Sequence, residues 1–165
     1  MISPRSLMAA AAAVATLHTA PAIAQSSGAC VATETMRSGA NNYVPNAPII
    51  ENLGTGWTLT GIVREAGTCA PLANVRVQVW SATDRGGERE PSNHGSVLTD
   101  AKGRYTMEIS EVRPSFGQPH VHIAFVDPNY QTLFLRSVLG SDDREGMTVD
   151  FVVQPMANSD AQPSG

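Results

Sequence analysis

Gln118-Pro119-His120-Val121-His122-Ile123-Ala124-Phe125 is the stretch from which the rest of the chain can be read. Val121, Ile123 and Phe125 fall on one face of an extended strand, and His120, His122 and Ala124 on the other. So regular an apolar face needs a core to bury it. The opposite face then carries two imidazoles about 7 Å apart along the strand. Neutral imidazole is the commonest metal ligand, and two rings projecting the same way can share one ion. The competing interpretation is a pair of polar residues on the solvated side of a half-buried strand.

Other short runs of period two lie on either side of it. Trp57 to Arg64 alternates through Leu59, Gly61 and Val63, and Val75 to Trp80 is the cleanest alternation in the chain. Gly103 to Ile109, Gln131 to Leu139 and Met147 to Val153 follow the same rule, and no segment after the leader holds a helical stripe. Strands this short at this spacing predict an all-β chain, a single antiparallel sandwich of about seven strands over 57–156. Two connections are long enough to carry function. Ser81 to Ser96 is polar and bears Glu88 and His94; Glu111 to Pro119 bears Phe116 and Gln118 and runs straight into the histidine strand. The plainer alternatives are that Glu88, among Arg85, Arg89 and Glu90, is a solvated loop charge and that His94 is an exposed loop residue.

The ends read differently. Residues 1–24 fit a cleaved secretory signal: Arg5, a short apolar run from Leu7 to Leu17, then Ala22-Ile23-Ala24 as the cleavage site. The run is too short to span a bilayer, which predicts a periplasmic or secreted protein with no membrane span. Removing these 24 of 165 residues leaves 141 and moves the formal charge from −4 to −5, since Arg5 is the only charge lost. Lys102 is the sole lysine and no basic cluster exists, which excludes nucleic acid and anionic membranes as partners. Residues 25–56 read as an irregular arm laid across the domain, and 157–165 as a disordered tail. Cys30 and Cys69 are the only cysteines; in an oxidising compartment they are expected to pair and staple the arm down, with free metal-binding thiols as the alternative.

Three of these pieces, in this order, resemble the intradiol ring-cleavage dioxygenases. Gly61-Ile62-Val63 followed by Cys69-Ala70-Pro71-Leu72-Ala73-Asn74-Val75-Arg76-Val77-Gln78-Val79-Trp80 resembles their first hairpin. Leu98-Thr99-Asp100-Ala101-Lys102-Gly103-Arg104-Tyr105 is similar to their "TD..G.Y" turn, and Pro119-His120-Val121-His122-Ile123 to their "HIH" strand. The resemblance covers Trp57 to Asp143 and implies an antiparallel prealbumin-like β-sandwich of about seven strands. It also implies a ferric ion held by two histidines and two tyrosinates, a catechol-like aromatic substrate, and dioxygen. This chain departs from that pattern. Eight residues after Trp80, where the first ligand tyrosine belongs, stands Glu88; the loop before the histidines offers only Phe116, and the usual arginine is replaced by Gln118. Tyr105 matches the turn motif, leaving Tyr43 and Tyr130 as outside candidates.

Losing two tyrosinates changes the metal. They supply two negative charges to a trivalent ion, whereas imidazoles are neutral. A mononuclear site of His120 and His122, completed by Glu88, by His94 or by both, suits a divalent ion: iron with two histidines and one carboxylate, copper with three histidines, zinc as a third option. Phe116, Gln118, Tyr43 and Tyr130 are the candidate substrate contacts. The function expected is an exported oxidoreductase acting on a catechol-like or other aromatic compound; the alternative is a non-catalytic module that binds copper, another metal or a ligand. Homo-oligomerisation is left open.

Overall fold

A computed structural model of the chain describes residues 30–50 and 52–157. The leader read over 1–24, the start of the arm and the tail from Asn158 onward lie outside the described residues. Among the described residues nine strands run in chain order: β1 (Asn52–Leu53), β2 (Trp57–Glu65), β3 (Arg76–Ser81), β4 (His94–Leu98), β5 (Arg104–Ile109), β6 (His120–Phe125), β7 (Leu133–Val138), β8 (Gly146–Thr148) and β9 (Phe151–Val153). They form an all-β sandwich. One sheet has the order β1-β5-β2-β8 with β9 also on β2; the other has the order β4-β3-β6-β7. Among the described residues the only helical turn is 3-10, Pro91–Asn93, and no helix is long and apolar enough to cross a membrane.

Alternation places the core. Trp57, Leu59, Val63, Tyr105, Met107 and Ile109 face inward from one sheet; Val77, Val79, Val121, Ile123, Phe125 and Leu135 face them from the other. Each large side chain so removed from water contributes about 1.5–3 kcal/mol. Gly61 sits opposite Tyr105 in the register, and a Cβ there would collide with the Val149 carbonyl oxygen and meet the Tyr105 ring at 2.7 Å. Only glycine allows that approach, which brings the Tyr105 hydroxyl to donate to the same Val149 oxygen at 2.6 Å.

Three expectations need correction. Ser81 to Ser96 is not wholly a linker, because His94 begins β4, an edge strand paired with β3. Its residues show no apolar alternation because both faces are covered: Gly95 packs under Ile50, and Ser96 bonds the carbonyl of Ala47. Met147 to Val153 is two strands, interrupted where Val149 N–H donates to the Thr60 carbonyl and Asp150 accepts from the Ile62 N–H. The sandwich is also mixed, since β1, β8 and β9 all pair in parallel.

The decisive departure is on β6, where all six residues are buried. The histidine side of the sheet is not solvated. Residues 30–50 cross it from edge to edge, bonding to β7 through Met36 N–H and the Phe134 carbonyl, to β3 through Gln78 and the Val44 carbonyl (2.6 Å), and to β4 through Pro48 and Ser96. Cys30 and Cys69 are bridged, fixing the start of this arm to the β2–β3 turn, a bond that fits an oxidising compartment.

Candidate metal centre

Register builds the site. On the covered face His94, Trp80, His122 and Arg136 stand in one row across β4, β3, β6 and β7, because Trp80 pairs with both His94 and His122, and His122 with Arg136. His120 is two residues from His122 on the same strand and face. The loop after β3 folds back so that Glu88 enters between the arm and the sheet. Its carboxylate is buried, 5 % exposed, while Arg89 and Glu90 face water. Asn93 holds this loop, donating to the Gly86 and Gly87 carbonyls at 3.0 Å each and accepting from the Thr83 hydroxyl.

His120, His122 and Glu88 converge, with ligand atoms all within 4.8 Å of one another. His120 Nε2 stands 3.1 Å from His122 Nε2 and 3.0 Å from Glu88 Oε1; His122 Nε2 is 3.5 Å from Glu88 Oε2. The protons on the two rings follow from their other contacts. His122 Nδ1 lies 2.9 Å from the Gly39 carbonyl, which only accepts, so the proton is on Nδ1 and Nε2 presents a lone pair. His120 Nδ1 has two mutually exclusive neighbours, the Gln118 carbonyl at 2.8 Å and Arg136 Nη2 at 3.1 Å. A bond to the carbonyl puts the proton on Nδ1 and leaves Nε2 with a lone pair, whereas a bond from the guanidinium puts the proton on Nε2, facing Glu88 Oε1. Burial pushes the His122 imidazole below its ordinary pKa, outweighing the Gly39 carbonyl, and keeps it neutral.

With the proton on His120 Nδ1, two imidazole lone pairs and a carboxylate face one another with no donor among them. Glu88 Oε1 is buried without a hydrogen-bond partner, while Oε2 accepts from Asn42 Nδ2 at 2.7 Å. Such a set calls for a cation. A proton could join only one pair, whereas ligand atoms 2.0–2.2 Å from a single ion stand roughly 3–3.5 Å apart, close to the spacings here. The residues therefore fit a metal ion, and an Nδ1–carbonyl bond such as that of His122 to Gly39 is the kind of outer contact that orients metal-binding imidazoles.

They do not fit ferric bis-tyrosinate chemistry. Tyr43 packs on Trp80 and Phe134 in the arm, and Tyr130 donates to Glu65 at 3.0 Å away from the site. Burial, then its bond to Glu65, pushes the Tyr130 phenol up and away from phenolate. His94 also stands apart. Trp80 lies stacked between it and His122, with ring centroids 5.9 Å and 4.9 Å away. Its Nε2–H donates to the Glu88 carbonyl at 2.6 Å, its Nδ1 is buried without a partner, and burial lowers its pKa. The structure thus gathers Glu88, His120 and His122 and leaves His94 as a prop for the Glu88 backbone.

An opening of about 430 Å³ leads to the three donors, lined also by Arg37, Ser38, Asn41, Phe116 and Arg136. Phe116 is 95 % exposed at its rim with φ 47°, and the Gln118 side chain points into solvent while its carbonyl serves His120. Sequence reasoning missed Gly39, Asn42 and Arg136. Gly39 acts through its carbonyl, which no residue type advertises. Arg136 could have been found by pairing β7 with β6, because the register sets it beside His122.

No family model and no curated protein matches the sequence. Solved structures do match the fold. A hydroxyquinol 1,2-dioxygenase from Pseudomonas putida DLL-E4 superposes with a TM-score of 0.57 at 15% identity, covering 77% of this chain and 68% of that one. The dioxygenase domain of a dioxygenase–carbohydrate-binding protein fusion from Streptomyces sp. SirexAA-E gives 0.57 at 19% identity, over 74% of this chain and 97% of that one. A 3-chlorocatechol 1,2-dioxygenase from Rhodococcus opacus 1CP gives 0.53 at 19%, over 69% of each. The chain has the intradiol dioxygenase-like fold, with two histidines and a glutamate gathered on the outer face of one sheet.

Proposed function

We propose that this is an exported, mononuclear metal-dependent oxidoreductase that holds divalent copper or iron through His120, His122 and Glu88 and acts with dioxygen on a catechol-like aromatic. The observation that carries the reading is the convergence of two buried imidazoles and a buried carboxylate, one oxygen of which has no hydrogen-bond partner. Bound there, the ion supplies a Lewis acid for phenolic oxygens and a one-electron reservoir for dioxygen. The residues around it do the rest. Asn42, itself held by Arg89 Nε at 3.0 Å, keeps the Glu88 carboxylate turned to the imidazoles. Arg37 and Arg136 make the opening cationic on an otherwise acidic chain, which suits an anionic oxygen on the incoming ring. Phe116 offers that ring an aromatic face at the rim. Export rests on the N-terminal leader and on the Cys30–Cys69 bridge.

The absent tyrosinates favour a second reading, a non-catalytic metal-binding module on the same scaffold. Dioxygen uptake separates the two. The metal-loaded chain should consume dioxygen with catechol, and His120→Ala/His122→Ala should abolish the uptake. Stoichiometric metal with no uptake on any catechol, hydroxyquinol or chlorocatechol would leave the binding module.

A further inference from the structure

Behind the three donors the aromatic rings form a continuous row of contacts that reaches the surface, stacked at Trp80 and tilted by 50° at Tyr43. The Trp80 indole lies parallel to the His122 imidazole, with centroids 4.9 Å and planes 6° apart. The Tyr43 ring follows, 5.8 Å from Trp80. Trp80 is wholly buried, whereas Tyr43 is half-buried and lines a cavity of about 260 Å³ together with Asn46, Arg76 and Gln78. This cavity is separate from the opening that serves the metal centre. Cross-strand register lays Trp80 beside His122, and Tyr43 from the arm completes the path to the surface.

The hydrogen bonding of the two rings differs in a way that gives them different chemistry. Trp80 Nε1–H donates to the Asn41 carbonyl at 2.9 Å. A carbonyl accepts a hydrogen bond but does not remove the proton, so an oxidised indole at this position stays cationic and passes its deficit on. Tyr43 has water at hand to take its phenolic proton, and a phenol that loses an electron and a proton together ends as a neutral radical. The order from the inside outward is therefore imidazole, relay, sink.

We propose that Trp80 and Tyr43 form a relay that carries oxidising equivalents from the metal centre to the surface, sparing His120 and His122 when peroxide meets the reduced ion with no substrate bound. This rests on the metal reading above. Peroxide takes up two electrons and two protons and becomes two waters. One electron is lost by the reduced ion. The other leaves Trp80, which recovers it from Tyr43; Tyr43 gives up its phenolic proton, and the second proton comes from solvent. A soluble reductant of the ascorbate or phenol class then returns one hydrogen atom to Tyr43.

The full chain, loaded with one equivalent of copper(II) and reduced with ascorbate, is mixed with hydrogen peroxide and freeze-quenched for spin resonance; a parallel sample is digested and its oxidised residues mapped by mass spectrometry. Wild type should show a tyrosyl radical. Tyr43→Phe keeps the ring contact and should lose that signal, with added oxygen moving inward to Trp80 and His122. Tyr105 packs against Phe151 in the core and Tyr130 against Phe125, so both are controls that stay intact in either protein. Copper bound at one equivalent with no tyrosyl radical, and the same oxidation of His120 and His122 in wild type and Tyr43→Phe, would overturn the relay alone. A chain that binds no copper would overturn the relay and the metal reading together.

Discussion

Two residues outside the donor set would decide how tightly an ion bound there is held. Gly39 presses its backbone on β7: a Cβ there would lie 2.6 Å from the Phe134 carbonyl oxygen, so any side chain lifts the arm and takes the Gly39 carbonyl off His122. His94 fixes the other side through the Glu88 carbonyl. Loss of such outer contacts costs about 10–100-fold in metal affinity. Gly39→Ala and His94→Ala are each expected to weaken copper binding by that order in a competitive chelator titration, without changing the number of nitrogens on the copper. A nitrogen fewer in His94→Ala would make His94 a ligand instead. His120 and His122 were legible because alternation along a strand fixes which side chains share a face, and Glu88 because it stands at a countable distance from Trp80. Gly39 was illegible because its contribution is a carbonyl oxygen supplied by a segment without periodicity.

Among the elements, the longer strands, of six residues or more, were legible and the shorter ones were not. β2, β3, β5, β6 and β7 each show one face to the core, and that face writes itself as period two. β4 lies under the arm and β1 is a two-residue pair, so neither carries the pattern. The break between β8 and β9 depends on Gly61, which lets Tyr105 reach across to Val149. Gly61→Ala forces that carbonyl and the phenol ring apart. Overpacking of this kind should cost about 1–3 kcal/mol, read as a lower urea midpoint with an unchanged slope. An unchanged midpoint would mean that the strand pair β2–β5 tolerates a side chain where none fits.

At the scale of the whole molecule, the arm turns an ordinary outer sheet face into an interior. It covers β7, β6, β3 and β4 in turn, and the Cys30–Cys69 bridge closes its start onto the domain across 39 residues of sequence. Replacing both cysteines by serine should lower stability by about 4 kcal/mol in equilibrium denaturation, mainly by freeing the unfolded chain. No loss would place the holding of the arm entirely in its hydrogen bonds to the two sheets. The central claim, that the covered face holds one divalent ion through two imidazoles and a carboxylate, is tested most directly by spin resonance of the copper-titrated chain. It predicts saturation at one equivalent with hyperfine coupling to two imidazole nitrogens, and loss of that signal in Glu88→Ala and in His120→Ala/His122→Ala. A chain that takes up no copper, or one that takes up iron with the intense colour of ferric phenolate, would contradict it.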